Sequence, residues 1–118
     1  MLTEFLEAVT DERYGVSPRR LSEALRIRVG ELSRITHLHR NTLARSPGSP
    51  KVQDKLGEIA HIVALAAELT GDTARAVVWF RHQPLAGFDN KTAEQLVEDG
   101  QARAVLKHLE MLRDGGYA

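Results

Sequence analysis

One short stretch in the front half of the chain carries side chains that are suited to reading a DNA duplex. Asn41 can pair in a bidentate way with an adenine edge, and Arg40 or Arg45 can pair with a guanine edge or with phosphates. Thr42 can contact a thymine methyl group or a phosphate oxygen. Lys51 follows a loop rich in Pro and Gly and could reach the DNA backbone beyond this stretch. The candidate DNA-binding residues are therefore His39, Arg40, Asn41, Thr42, Arg45 and Lys51.

The distribution of charge supports this interpretation of the front half. The 118 residues carry no net charge, but residues 13–55 hold 10 Lys and Arg against 3 Asp and Glu, whereas residues 56–118 hold 6 against 9. A neutral total would argue against DNA binding only if the charges were evenly mixed. The alternative stays open, because exposed arginines on short amphipathic helices are also ordinary solvated faces.

Catalysis and metal binding find little support in the residue types. The chain has no cysteine, and its histidines form no HExxH or Cys/His cluster. No motif pairs a nucleophile with a base, and the glycine-rich stretches do not lie between a strand and a helix, as phosphate loops require. We expect a protein that is not an enzyme and that needs no metal or cofactor. We see no signal sequence or membrane span, and expect a cytoplasmic protein.

The elements that must position the candidate DNA-binding residues are two short helices. Ser17 followed by Pro18 predicts a preceding helix start, which runs to about Ile27. Apolar spacing from Val29 to Leu38 predicts the first short helix and its turn. Residues 40–45 predict the second, capped by His39 or Asn41, with Leu43 and Ala44 inward. This is the helix-turn-helix pattern, although Thr36-His37-Leu38 stands where a glycine is often found.

A long apolar stretch, Val52–Leu69, predicts the central core helix of the protein. Part of it could also form a dimer seam, and we expect a homodimer, because repressors that read palindromes are usually two-fold.

The sequence after Gly71 predicts further short helices. Gly71 ends the central helix, and Asp72 and Thr92 cap later ones. The last helix places Val105, Leu109 and Leu112 inward. No stretch alternates as a strand does, so we expect no sheet. The predicted fold is all-α, with a helix-turn-helix region at residues 1–56 and a compact helical region at residues 57–118 that share the central helix.

The segment from Trp79 to Ala118 resembles the C-terminal toxin-binding domain of the Xre/MbcA/ParS antitoxin family. The similar features, in order, are Trp79-Phe80, Pro84-Leu85, Gly87, Thr92-Ala93, Leu96-Val97, Gly100, Val105, Leu109 and Gly115-Gly116-Tyr117. Residues back to Leu32 look like the Xre-type helix-turn-helix that usually precedes this domain. Residues 1–17 resemble nothing that we can name.

The resemblance implies a type II antitoxin that pairs with a RES-domain toxin, a class similar to ADP-ribosyltransferases that acts on NAD. In such antitoxins the C-terminal segment covers or enters the NAD site of the toxin, and the helix-turn-helix lets the complex repress its own operon. The alternative is a stand-alone helix-turn-helix transcription regulator without a toxin.

The chain end has a composition compatible with toxin binding. It offers a charged helix end, two glycines, one aromatic ring and a terminal carboxylate, which could occupy cationic groups of a nucleotide pocket. A disordered tail is the alternative. Trp79 at helical spacing is more often a core residue than an interface residue, and we expect at least one of Trp79 and Phe80 in the core. The candidate toxin-binding residues are Trp79, Arg113, Asp114, Gly115, Gly116, Tyr117 and Ala118.

Overall fold

Helices dominate the structure, a computed structural model that describes residues 2–115, with side chains from residue 4 onward. The all-α prediction is confirmed. In chain order the elements are α1 (Leu2–Val9), β1 (Thr10–Asp11), β2 (Gly15–Val16), α2 (Pro18–Leu25), α3 (Val29–Thr36), α4 (Arg40–Arg45), α5 (Pro50–Thr70), α6 (Thr73–His82), α7 (Ala93–Glu98) and α8 (Ala102–Arg113). No helix within this described range is long and apolar enough to cross a membrane.

Helix α5 is the core around which the other elements pack, as the apolar stretch predicts. It packs most extensively against α6, α1 and α8, and six consecutive residues, 62–67, are buried. Burial on all sides explains why the sequence is apolar around the whole cylinder. Of its large apolar side chains only Leu69 is exposed, so α5 itself has little apolar surface left for a dimer seam. The predicted boundary between residues 56 and 57 falls inside this shared helix.

Local capping chemistry fixes the start of several helices. The Ser17 side chain accepts a hydrogen bond from the Arg20 amide, with Pro18 at the first helical position. Asp72 accepts from the Ala74 amide at 2.9 Å, and Thr92 forms a capping box with Gln95. Each cap stabilises its helix by about 1 kcal/mol. These starts follow from neighbouring residues, which is why the sequence predicts them correctly.

A small hairpin corrects the expectation that there is no sheet. β1 and β2 pair antiparallel, with Thr10 opposite Val16 and Asp11 opposite Gly15. The Asp11 carboxylate accepts a hydrogen bond from the Arg13 amide and thereby closes the turn. Two-residue strands leave no alternating pattern in a sequence, and this pair also depends on hydrogen bonds with the distant Gln53 of α5.

Three side-chain and boundary predictions are also wrong. α2 ends at Leu25 rather than near Ile27, because Arg26 adopts a left-handed conformation with φ 60°. Leu112 is exposed, since its turn of α8 extends past the covered part of the core. Ala44, expected inward beside Leu43, is exposed as well.

Candidate DNA-binding and toxin-binding surfaces

A tight turn sets the geometry of α3 and α4. His37 has φ 58°, the left-handed conformation for which glycine is usually chosen. The His37 and Leu38 amides donate to the last carbonyls of α3, at Arg34 and Ser33. His37 therefore adopts the left-handed conformation for which a glycine is often found in this turn. His39 then caps α4, because its Nδ1 atom accepts a hydrogen bond from the Asn41 amide at 3.0 Å.

Helix α4 turns its polar side chains outward. Leu43 is buried and anchors the helix to the core, while Thr42 is half-buried. Among the described residues no carboxylate pairs with Arg40, Arg45 or Lys51. The candidate DNA-binding residues that are exposed are His39, Arg40, Asn41, Arg45 and Lys51. They form a basic surface whose charges are available to an anionic partner; whether that partner is DNA stays a prediction.

A polar seam joins this front region to the rear helices. The Arg81 guanidinium on α6 lies 3.7 Å from Glu31 on α3 and 3.5 Å from Glu94 on α7. Arg81 also donates to the Arg26 carbonyl at 3.2 Å. These contacts of Arg81 could not be predicted from the sequence, because their residues come from four separate parts of the chain.

The Glu94 carboxylate is the group of this polar seam that is unfavourably buried. Burial raises the pKa of Glu94, and the nearby Arg81 and Arg34 guanidinium groups oppose that rise only in part. The Arg81 Nε and Glu94 Oε1 atoms are buried and have no hydrogen-bond partner within the described part of the chain. Their separation of 3.5 Å makes a loose ion pair, so the attraction does not fully offset the cost of desolvation.

A second set of contacts ties the turn between α3 and α4 to α7. The His37 ring atom Nε2 lies 2.7 Å from the Glu98 carbonyl, and Arg34 pairs with the Glu98 side chain. The end of α3 and the turn that leads into α4 are thus held by the rear half of the molecule.

The rear half exposes several large apolar side chains. Val78 on α6 is 59% exposed, and Met111 and Leu112 at the end of α8 are 51% and 44% exposed. Phe80 is fully buried, whereas Trp79 is half-buried at the edge of the core. We call Val78, Met111 and Leu112 the rear apolar residues.

The end of the chain is described only as far as Gly115. Arg113 and Asp114 are exposed and contact one another at 3.2 Å, and Gly115 has φ 74°. The remaining candidate toxin-binding residues, Gly116, Tyr117 and Ala118, lie outside the described residues.

The described residues form a small helical protein with a basic surface on α4 and exposed apolar side chains in the rear half. Residues 65–115 match the family model of the antitoxin Xre/MbcA/ParS C-terminal toxin-binding domain. The match covers less than half of the chain, from the end of α5 to the end of α8, and it supports the antitoxin family and a toxin-binding role for this segment. It also favours a regulator over a catalyst. No curated protein and no solved structure gives a significant match.

Proposed function

We propose that the protein is a type II antitoxin that neutralises a RES-domain toxin by blocking its active site, and that it represses its own operon through a helix-turn-helix formed by α3 and α4. The family match of residues 65–115 carries the toxin-binding part of this proposal. The exposed basic surface of α4 carries the DNA-binding part. The two surfaces lie on different halves of one core.

The distribution of exposed apolar side chains supports toxin binding by the rear half. Among the described residues, four of the five large hydrophobics that are exposed fall within the matched segment: Leu69, Val78, Met111 and Leu112. Large apolar side chains that stay exposed in the matched segment are available for contact with a protein partner. The chain end beyond Arg113 then supplies charge and one aromatic ring for the active site of the toxin.

Co-expression with the product of the adjacent reading frame tests toxin neutralisation. We expect that product to arrest growth when expressed alone and to be harmless, and bound in a complex, when this chain is present. A chain truncated after Asp114 should form the complex but neutralise less well, because it lacks the segment proposed to enter the active site. Unchanged neutralisation by the truncated chain would exclude the active-site role of the tail.

A gel shift with the promoter of the operon tests DNA binding. Arg40→Ala combined with Arg45→Ala should abolish the shift, because both arginines are exposed and we propose that they contact bases or phosphates. Arg75→Ala with Arg103→Ala is the matched control, since it removes the same charge from exposed positions on α6 and α8. A shift that survives the first pair would remove α4 from the DNA interface.

We further propose a homodimer, because a two-fold repressor would present two α4 helices to half-sites about 34 Å apart. Light scattering of the purified chain measures its molar mass and so its oligomeric state. A monomer at the concentrations at which the chain binds its operator would contradict the proposed dimer.

The second candidate function is a stand-alone transcription regulator. It is favoured by one observation: all of the candidate DNA-binding residues precede the matched segment. A chain that shifts its promoter but binds no neighbouring gene product would establish this alternative.

A further inference from the structure

A depression of about 310 Å³ opens beside α4, and neither the resemblance nor the family match assigns it a role. Hairpin β1–β2, the start of α2, the first residue of α3 and helix α4 together form its wall. Its charged lining residues are Asp11, Arg13, Arg19 and Arg40, and its apolar lining includes Pro18, Val29, Leu43 and Pro47. Three arginines against one carboxylate give the depression a positive charge.

The hairpin is held firmly against the region around α4. The Gln53 side chain on α5 accepts from the Val16 amide at 2.8 Å and donates to the Val16 and Pro47 carbonyls at 2.9 and 2.7 Å. The packing is close, since a Cβ atom added at Gly48 would lie 2.8 Å from the Tyr14 Cβ. The position of Arg13 relative to α4 is therefore fixed by the fold.

The arginines keep donors that are free for a ligand. Asp11 engages the Nε and Nη2 atoms of Arg13 at 3.1 and 2.9 Å and thereby orients the guanidinium, and no residue that the structure describes engages its Nη1 atom. Glu23 engages only Nη1 of Arg19, at 2.8 Å. Arg40 lies over the start of α3, where a Cβ added at Gly30 would come 3.9 Å from its Nη1 atom. Guanidinium groups in this state can bind phosphate oxygens.

We propose that this depression binds the sugar-phosphate backbone of the DNA duplex that α4 reads, with Arg13 and Arg19 as phosphate contacts. The inference rests on the proposed DNA-binding function and extends it to the hairpin and α2. Residues 10–19, most of which belong to the segment 1–17 for which we name no resemblance, would then help to hold α4 in register on the duplex.

The chemistry of the lining matches a backbone better than a base edge. A phosphodiester presents charged oxygens beside an apolar deoxyribose, and the depression presents arginines beside Pro18 and Val29. A major groove about 12 Å wide admits one helix, so residues next to that helix meet the phosphates of the groove walls. Arg40 and Leu43 of α4 line the same depression, so a duplex seated on α4 lies against it.

The test measures operator affinity over a range of salt concentrations for Arg13→Ala combined with Arg19→Ala. Removing one phosphate-binding side chain reduces the magnitude of the slope of log K against log salt by about one, so we expect a decrease of about two for the pair. Affinity should fall for operator and random duplexes alike, because phosphates carry no sequence information. Arg13→Lys with Arg19→Lys should retain most of the slope, since the charges remain.

Two controls separate the possible outcomes. The Arg75→Ala, Arg103→Ala pair should leave the salt slope unchanged. Thermal unfolding should show that the Arg13→Ala, Arg19→Ala variant is folded. If the wild-type chain binds no duplex, both the proposed DNA function and this inference fail. If the Arg40, Arg45 pair abolishes binding while the Arg13, Arg19 pair leaves the slope unchanged, only this inference fails. An equal decrease of slope in the control pair would also overturn it.

Discussion

At the scale of single residues, His37 shows how a side chain can replace a glycine. Its left-handed backbone is less favourable than it would be for glycine, but its ring lies 2.7 Å from the Glu98 carbonyl. The hydrogen bond offsets part of the backbone cost and ties the turn to α7. Histidine therefore gives this turn a link to the rear half that glycine could not supply.

We expect His37→Ala to lower the free energy of unfolding by about 1 kcal/mol, because it removes the hydrogen bond and keeps the backbone strain. His37→Gly should cost less, because it removes the bond but relieves the strain. Urea denaturation of both variants measures the difference. Equal losses would mean that the left-handed backbone carries no cost here.

Glu94 supplies a prediction with a definite sign. Burial raises the pKa of Glu94 in the folded state, so its contribution to stability is fully present below the pKa of the unfolded chain and is lost as pH rises through the folded pKa. The free energy of unfolding of the wild type, relative to that of Glu94→Gln, should therefore fall between about pH 4 and about pH 7. Urea denaturation of both proteins at these two pH values measures the difference in the free energy of unfolding. If the wild type instead gained stability relative to Glu94→Gln as the pH rises, attraction to Arg81 would dominate over burial.

The residue scale also shows where sequence reasoning stops. The caps at Ser17, Asp72 and Thr92 are predictable, because each bonds an amide two or three residues away. The contact between Arg81 and Glu94 is not, because the two residues lie on different helices and no local pattern predicts how α6 and α7 pack.

At the scale of elements, α5 contains one residue that helix packing does not explain. Gly57 lies inside the helix, and an added Cβ would meet no side chain of residues 4–115 within 4 Å. Glycine within a helix is less stable than alanine because it loses more backbone freedom on folding.

We expect Gly57→Ala to raise the free energy of unfolding by about 0.5–1 kcal/mol. Urea denaturation measures the gain, and Gly71→Ala is the contrasting control. It should destabilise the protein, because Gly71 ends α5 with φ 77°. A decrease of stability in Gly57→Ala would mean that space at this position is required within the folded chain.

Elements also differ in how far their sequence determines them. The apolar stretch 52–69 predicts α5 because a core helix must be apolar on most sides. Hairpin β1–β2 could not be predicted, since it depends on Gln53, which lies 37 residues from Val16. The exposure of Leu112 could not be predicted, because the apolar periodicity of α8 continues to Leu112 whereas the buried core ends at Leu109.

At the scale of the whole molecule, a basic front region and a rear half with exposed apolar side chains share one core. The polar seam through Arg81 and the link from His37 to Glu98 join α3 and its turn to α6 and α7. The uneven charge of the sequence predicts two regions of different character, but only the folded chain shows that side chains of the rear half hold the front helices.

The most direct test of this account measures toxin capture and operator binding on the same two double variants. Arg40→Ala with Arg45→Ala should lose the operator shift and still co-purify with the toxin. Val78→Asp with Leu112→Asp places charges on two of the rear apolar residues, which are exposed, so it should lose the toxin and keep the operator shift. Loss of both activities in either folded variant, or full toxin capture by the aspartate variant, would contradict the account.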